Sequence, residues 1–421
     1  MNKKKLKAKI MNYCKKNIFF RKIVRNLIYI KRSLNYRKYY YGNKVDDKTI
    51  LFEVFGGRNY SCSPKYIYEK MITMPEFKDY KFVWSFKNKD AHDVKKCDNL
   101  IIVKHNSKDY YKYCASSKYW IVNSIMGEHI KKKDNQIYVQ CWHGTPLKRL
   151  RNDIEVSGSV LNTIKEIRKR NDRDSSRFDY FLSPSKFATE KFTSAFNLIN
   201  LGKKDIIIEE GYPRNELLFT YTQDDVKRLK EKFGVPEGKK VIFYLPTFRD
   251  NQHTSGVGYT YSLGIDFDRL KKKFGYKYVI LFSAHYFVAN SIDLSKYEGF
   301  VINTNGIMDD INEAYIISDI IMTDYSSVFF DFANLKRPML FYMYDIDDYK
   351  GNLRDFYLDL DELPGPIAKT QDELEKNLEN IDEISEKYKE KYKKFNEKFN
   401  YLDDKDATIR VINKIFKLKE K

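Results

Sequence analysis

The sequence predicts an α/β fold built on two parallel sheets, and three observations carry that prediction. Short runs rich in Val, Ile, Phe and Tyr alternate with helix-like stretches along most of the chain, the pattern of strand–helix–strand units. The runs fall into two series, separated by a charged stretch that has no strand pattern. The chain has 421 residues, more than a single domain usually holds, and 42% hydrophobic with 16% aromatic residues supplies enough core for two.

The first 45 residues stand apart. They hold fifteen Lys/Arg and no Asp or Glu, so the formal charge of +19 shrinks to +4 over the remaining 376 residues. Within this segment Phe20, Ile23, Val24, Leu27, Ile30 and Leu34 recur at helical spacing, with Arg21, Lys22, Arg25, Lys31 and Arg32 between them, which predicts a basic amphipathic helix. No uncharged apolar run approaches the ~20 residues needed to span a bilayer, and no signal-peptide pattern is present. A helix of this kind can lie in the headgroup region of an anionic leaflet. A solvated tail and a nucleic-acid arm are the other readings of the same charges.

The first series of candidate strands covers 49–54, 81–86, 100–103, 119–123, 137–142, 178–182 and 206–209; the second covers 241–245, 278–282, 300–303, 319–322 and 339–343. Between them "LLFTYTQDDVKRLKEKFGVPEGKK" reads as a helix closed by Gly234 and Pro236. The predicted domains are therefore 1–45 (attachment segment), 46–220 and 221–421. "SEKYKEKYKKFNEKFNY" near the end is a Lys/Glu helix whose Tyr/Phe stripe should pack on the body. The five cysteines are scattered, without metal-ligand or paired spacing, and read as reduced thiols of a cytoplasmic protein.

Open α/β sheets bind ligands beyond the carboxyl ends of their strands, so residues just after strands are the candidates for chemistry. His143 follows "IYVQCW", with Gly144 permitting close backbone approach and Pro146 setting the turn. A histidine so placed can act as general base, or it can be a structural ring bonded to a loop carbonyl. His285 follows "YVILFSA" in the second series, so the two rings can meet across a cleft between facing sheets. His92, His105, His129 and His253 sit in polar surroundings and read as surface positions. In "TDYSSVFFDFANL" the strand ends at Thr323 and Asp324, and Ser326 and Ser327 start a helix; hydroxyls and free N–H groups there suit a phosphate, or simply cap the helix. Arg214 in "GYPRNE", and Thr247 and Arg249 in "LPTFRD", offer further anion contacts, or ordinary surface ion pairs. "FGGRN" is neither a P-loop nor a dinucleotide fingerprint.

Taken together, "WHGTPLK", "GYPRNE", "LPTFRD", His285 after its strand, "TDYSS" followed by "DFANLKRP", and "LPGP" at 363–366 resemble the CDP-glycerol glycerophosphotransferase family of teichoic acid synthesis. The resemblance runs from about residue 50 to 375. It implies two facing Rossmann-like domains of the GT-B type and peripheral attachment to the cytoplasmic face of a bacterial membrane. It also implies transfer of an alditol phosphate from a CDP-linked donor to a lipid-linked disaccharide or polymer acceptor. Essential roles would fall on His143 and His285, and donor binding on the Thr323–Ser327 segment. Glu216 stands where the family usually has Asp, Phe248 where Trp is common, and the proline often found after the second histidine is missing.

On this reading an acceptor hydroxyl attacks the β-phosphorus in line while charge grows on the departing CMP oxygen. His143 is the expected base. His285, Arg214, Thr247, Arg249, Thr323, Asp324, Ser326 and Ser327 would surround the donor, and Gly144, Thr145, Lys148 and Arg149 would face an anionic acceptor. No carboxylates cluster with metal-ligand spacing, so the expected cofactor is none beyond CDP-glycerol itself, and no nucleic-acid partner is expected. A CDP-ribitol- or nucleotide-sugar-dependent transferase fits the same fold. A noncatalytic basic membrane- or nucleic-acid-binding protein is the alternative of another class, and strand-end histidines count against it.

Overall fold

The computed structural model describes Tyr13 and residues 17–155, 163–247, 253–254, 258–259, 264–284, 293–346 and 356–418. Two parallel sheets dominate it. The first comprises β1 (Asp46–Glu53), β2 (Lys81–Phe86), β3 (Leu100–Lys104), β4 (Ser117–Val122), β5 (Ile137–Gln140), β6 (Tyr180–Ser183) and β7 (Ile207–Glu209). Their order is β3-β2-β1-β4-β5-β6-β7, with every pairing parallel.

In the second half, β8 (Lys240–Leu245) is followed by a two-stranded antiparallel hairpin of β9 (His253–Thr254) and β10 (Gly258–Tyr259). Then come β11 (Tyr278–Phe282), β12 (Val301–Asn303), β13 (Ile320–Thr323), β14 (Met339–Tyr342) and β15 (Ile367–Ala368). The six-stranded order is β12-β11-β8-β13-β14-β15, again all parallel. Every expected strand forms. The hairpin and β15 were not anticipated, because strands two residues long carry no periodicity to read.

Each order reverses direction once, between β1 and β4 in the first sheet and between β8 and β13 in the second. Such switch points open a crevice at the carboxyl ends of the strands. The strands are apolar on both faces, as in the buried run of β11, because helices cover both sides of a parallel sheet. Two apolar clusters flank the first sheet and two flank the second.

The linker helix Gln223–Phe233 forms as expected, opened by a Thr222/Asp225 capping box and closed by Gly234 at φ 69°. The aromatic stripe near the end belongs to the helix Ile381–Phe399, which buries Phe395 and Phe399. The chain then crosses back. The last helix, Ala407–Phe416, packs Val411, Ile412 and Ile415 into the core of the first sheet.

The helix Ile18–Gly42 opens the described structure, its first turn capped by the Asn17 side chain accepting from the Phe20 N–H at 3.0 Å. Arg21 and Tyr36 are buried, and the Tyr36 hydroxyl donates to the Lys131 carbonyl at 3.0 Å. Ile23, Leu27, Ile30 and Leu34 remain exposed. Among the described residues no helix is long and apolar enough to cross a membrane.

Candidate functional site

At the switch point of the first sheet, the Phe55 N–H beyond β1 donates to the Asn123 side-chain oxygen beyond β4, at 2.8 Å. The second sheet repeats this device, with the Thr247 N–H beyond β8 donating to the Asp324 carboxylate beyond β13, at 2.8 Å. An Asx side chain thus pins the chain at both crevices, a correspondence that rests on equal topology.

His143 sits next to the first of these bonds. Its Nδ1 is 2.8 Å from the Asn123 carbonyl oxygen. A carbonyl only accepts, so Nδ1 carries the proton and Nε2 is left as the acceptor of a neutral ring. The ring stacks on Trp142 with centroids 4.1 Å apart and meets the edge of Phe55 at 5.5 Å. Burial pushes the His143 pKa down to about 4; the Asn123 carbonyl opposes this, and the charges of Arg214 and Arg151 add to it. The structural role foreseen for His143, a bond to a loop carbonyl, is therefore real, and it is also what sets the tautomer a base requires.

Backbone strain gathers at this spot. Phe55 (φ 48°), Cys62 (φ 60°) and Trp142 (φ 50°) are non-glycine residues in the left-handed region, at a cost of order 1–3 kcal/mol each. Local bonds hold them there: Trp142 N–H donates to the Gln140 side chain at 2.9 Å, and the Cys62 thiol lies 3.8 Å from the Trp142 carbonyl.

The second domain closes on the same place. Gly144 is so near that a Cβ on it would lie 3.3 Å from the Ser327 hydroxyl and 3.4 Å from an Arg214 nitrogen. Ser327 caps the helix Val328–Phe332, but its hydroxyl accepts no bond from that helix. Side-chain N-capping is therefore not what Ser327 does. The helix has only five residues, so its dipole is small and the case for an anion here rests on the hydroxyl and N–H groups of Ser326 and Ser327.

Three expected donor contacts are turned inward. The Thr323 hydroxyl donates to the Leu245 carbonyl at 2.8 Å. Asp324, 2% exposed, accepts backbone N–H groups from Thr247 and from Tyr325, the latter at 2.5 Å. Arg214, 8% exposed, donates to the His143 carbonyl at 2.7 Å and pairs with Asp331. All three hold loops in place. On the acceptor side Thr145 is buried, Lys148 bridges to Phe356 as an isolated antiparallel pair, and Arg149 pairs with Glu155 at 3.2 Å. Leu147 enters the core of the second sheet, so this loop joins the two domains. His285 and Arg249 lie outside the described residues.

Three of the remaining histidines are not surface positions. His129 is buried with the Tyr111 hydroxyl 3.3 Å away, His105 bonds the buried Glu53 at 2.8 Å, and His92 faces Asp309 of the second domain at 3.3 Å. The backbone of His253 lies in β9. Sequence reasoning also missed Asn123, Asn215, Asp331 and Asp403. Asp331 had a signal, a lone carboxylate inside the apolar run "VFFDF" that burial would force to find a partner. Among the described residues no three His, Cys, Asp or Glu side chains gather as around a metal ion.

Two parallel sheets whose carboxyl-end loops meet at a strained, histidine-bearing seam define the chain as an α/β protein of two parallel sheets. The chain belongs to the family of CDP-glycerol:poly(glycerophosphate) glycerophosphotransferases, whose profile matches residues 35–417. It is 40% identical over 394 residues to a teichoic acid poly(glycerol phosphate) polymerase of Staphylococcus epidermidis, covering 92% of this chain and 53% of that one. A polymerase of the same description from Bacillus spizizenii is 37% identical, with 88% of this chain and 92% of the other covered. The chain thus spans about half the length of some relatives and nearly all of others. The solved structure of the wall teichoic acid polymerase TagF superposes with a TM-score of 0.84 at 40% identity, over 94% of this chain and 95% of that one. A UDP-GlcNAc 2-epimerase of Neisseria meningitidis shares the fold alone, at 15% identity and TM-score 0.52 over 88% of this chain and 100% of the other.

Proposed function

We propose that the protein transfers glycerol phosphate from CDP-glycerol to a hydroxyl of a lipid-linked acceptor in teichoic acid synthesis. The acceptor oxygen forms the new bond to the β-phosphorus, the bond to the CMP oxygen breaks, CMP departs, and the acceptor proton passes to His143. The observation that carries this reading is the fixed tautomer of His143, a neutral ring with Nε2 as acceptor, at the seam where Gly144 abuts Ser327. Family membership supports it. Glycerol is favoured over ribitol because glycerol phosphate polymerases match at 40% and 37% identity and a ribitol phosphate polymerase of Bacillus spizizenii at 29%.

In this reading the two facing sheets form a GT-B arrangement, with an acceptor domain over 46–220 and a donor domain from 221 onward. Ser326, Ser327, Arg249 and His285 hold the pyrophosphate. Thr323, Asp324 and the Thr247 N–H shape the donor loop, and Lys148 lies on the acceptor side. No cofactor or resident metal is invoked. The exposed apolar face of the helix Ile18–Gly42, set among its basic residues, lies on the anionic cytoplasmic leaflet where the acceptor is anchored.

The test is to incubate the protein with CDP-glycerol, CDP-ribitol and a UDP-sugar separately, each with a lipid-linked disaccharide acceptor, and to score nucleotide release. CMP release from CDP-glycerol is expected. Turnover of the UDP-sugar alone would sink the assignment.

A further inference from the structure

Arg214 is the arginine of the "GYPRN" turn, and its guanidinium reaches two partners of different kinds. One terminal nitrogen donates to the backbone carbonyl of His143 at 2.7 Å. The other forms an ion pair with Asp331, on the helix Val328–Phe332 of the second domain. Both residues are almost fully buried, Arg214 at 8% and Asp331 at 4% exposure.

A second ring of bonds holds this pair. The Asn215 amide donates to Asp331 at 3.2 Å and to Asp403 at 2.6 Å. Asp403 also accepts from the Tyr212 N–H at 2.8 Å and from Asn334 at 3.0 Å. The Asn312 amide donates to the Arg214 carbonyl. The turn is thereby tied to the second domain and to the returning C-terminal segment.

We infer that Asp331 is a positioning residue for His143, acting across the domain seam through the planar fork of Arg214. The inference rests on the reading of His143 as the base. The imidazole is fixed from one side by its own Nδ1–H on the Asn123 carbonyl, and its main chain is fixed from the other by Arg214. A fork whose orientation is set by a carboxylate on the opposite domain holds the His143 loop in register only while the domains are together. A buried pair kept for fold alone has no need to spend its second arm on the carbonyl of the residue that takes the proton. The fork is rigid and bidentate in a way that a lysine ammonium is not, so Arg214→Lys should not replace it.

The pair also sets the field at the ring. The charges of Arg214 and Arg151 both disfavour the protonated ring, and the carboxylate of Asp331, paired with Arg214, carries the opposite sign. Removing Arg214 and removing Asp331 should therefore move the His143 titration in opposite directions.

The experiment uses the full chain and four variants: Arg214→Gln, Asp331→Asn, the double variant, and His143→Gln as the control. Turnover with CDP-glycerol and lipid-linked acceptor and thermal unfolding are measured for each, and the NMR titration of the His143 ring for all but His143→Gln, whose spectrum assigns that ring's resonance by its loss. The single variants should lose about tenfold or more in kcat, the scale on which small displacements of a reacting group act, with donor KM within about threefold. The His143 midpoint should rise in Arg214→Gln and fall in Asp331→Asn. In the double variant no buried charge is left uncompensated, so thermal stability should recover toward wild type while kcat stays low. If a single variant does not fold, the double variant carries the test, and Asp331→Glu, which keeps the charge one methylene further out, carries it for the carboxylate. Wild-type kcat in the double variant, or an unmoved His143 midpoint in both single variants, would overturn the inference. Full activity in His143→Gln would instead overturn the base assignment, and the titration would still report whether the pair acts on the ring.

Discussion

Gly144 and Ser327 touch across the domain seam: a single carbon added to Gly144 would come within 3.3 Å of the Ser327 hydroxyl oxygen. The glycine follows the candidate base and the serine begins the candidate donor loop, so the two halves of the proposed reaction centre meet with no side chain between them. Gly144 also holds φ at 155°, where an L side chain is strained. Gly144→Ala should therefore cost about 1–3 kcal/mol of stability and about tenfold in kcat through displacement of the seam. Thermal unfolding and steady-state turnover check both parts. An alanine variant with wild-type turnover would mean that the seam is looser than the geometry indicates.

Replacing the candidate base should act on turnover and spare donor binding. His143→Ala is expected to lower kcat by roughly 10²-fold or more, because proton transfer appears mainly in the transition state. Affinity for CDP-glycerol, measured by titration without acceptor, should stay near wild type. A variant that folds normally and keeps more than about a third of the wild-type kcat would reduce His143 to its structural bond with Asn123.

The pH dependence of stability gives an independent handle on the same ring. His143 and His129 are both pushed from the ordinary histidine value down to about 4, each chiefly by burial. Between that value and the ordinary one the unfolded chain binds more protons than the folded chain, so both rings make stability fall as the pH drops through this window. Asp174 and Asp403 act in the opposite sense: burial raises each to about 6, so the folded chain holds the extra proton and stability falls as pH rises through the range between the ordinary carboxylate value and 6. His143→Gln should reduce the slope of unfolding free energy against pH between about 4.5 and 6 by up to ~1.4 kcal/mol per pH unit, the contribution of one proton. Denaturant melts at half-unit pH steps measure it. An unchanged slope would show that His143 titrates normally.

What could be read from the sequence and what could not divide along a physical line. Strands such as "YVILF" and the helix between Thr222 and Gly234 announce themselves by periodicity and caps, which are local properties. His143, Ser326 and Ser327 were legible as strand-end residues because open sheets place ligands there. The jobs of Arg214, Thr323 and Asp324 were not, since whether a polar side chain faces a ligand or a neighbouring loop depends on partners more than 70 residues away, such as Leu245 for Thr323. The return of Val411, Ile412 and Ile415 to the first sheet was hidden for the same reason. An amphipathic helix states that it has an apolar face and not which domain that face meets.

The N-terminal helix shows how this distinction alters an experiment. Deleting residues 1–40 would test membrane attachment, but it would also remove Tyr36, which is buried against Tyr111 with rings 5.9 Å apart and bonded to the Lys131 carbonyl. Loss of such a core tyrosine would destabilise the first sheet and mimic a binding defect. Ile23, Leu27, Ile30 and Leu34 recur at intervals of four, three and four residues, one face of the helix, and all are exposed, whereas Arg21 and Tyr36 point inward. Changing those four to Gln should leave thermal stability near wild type. If this face enters the headgroup region, it should also weaken binding to anionic vesicles by more than about 10²-fold, since each buried aliphatic side chain contributes on the order of 1 kcal/mol or more. Raising the salt should weaken the wild type further, because attraction between the basic residues and the lipid is screened over about 8 to 10 Å. Vesicle binding that survives the four substitutions intact would place the attachment surface elsewhere on the molecule.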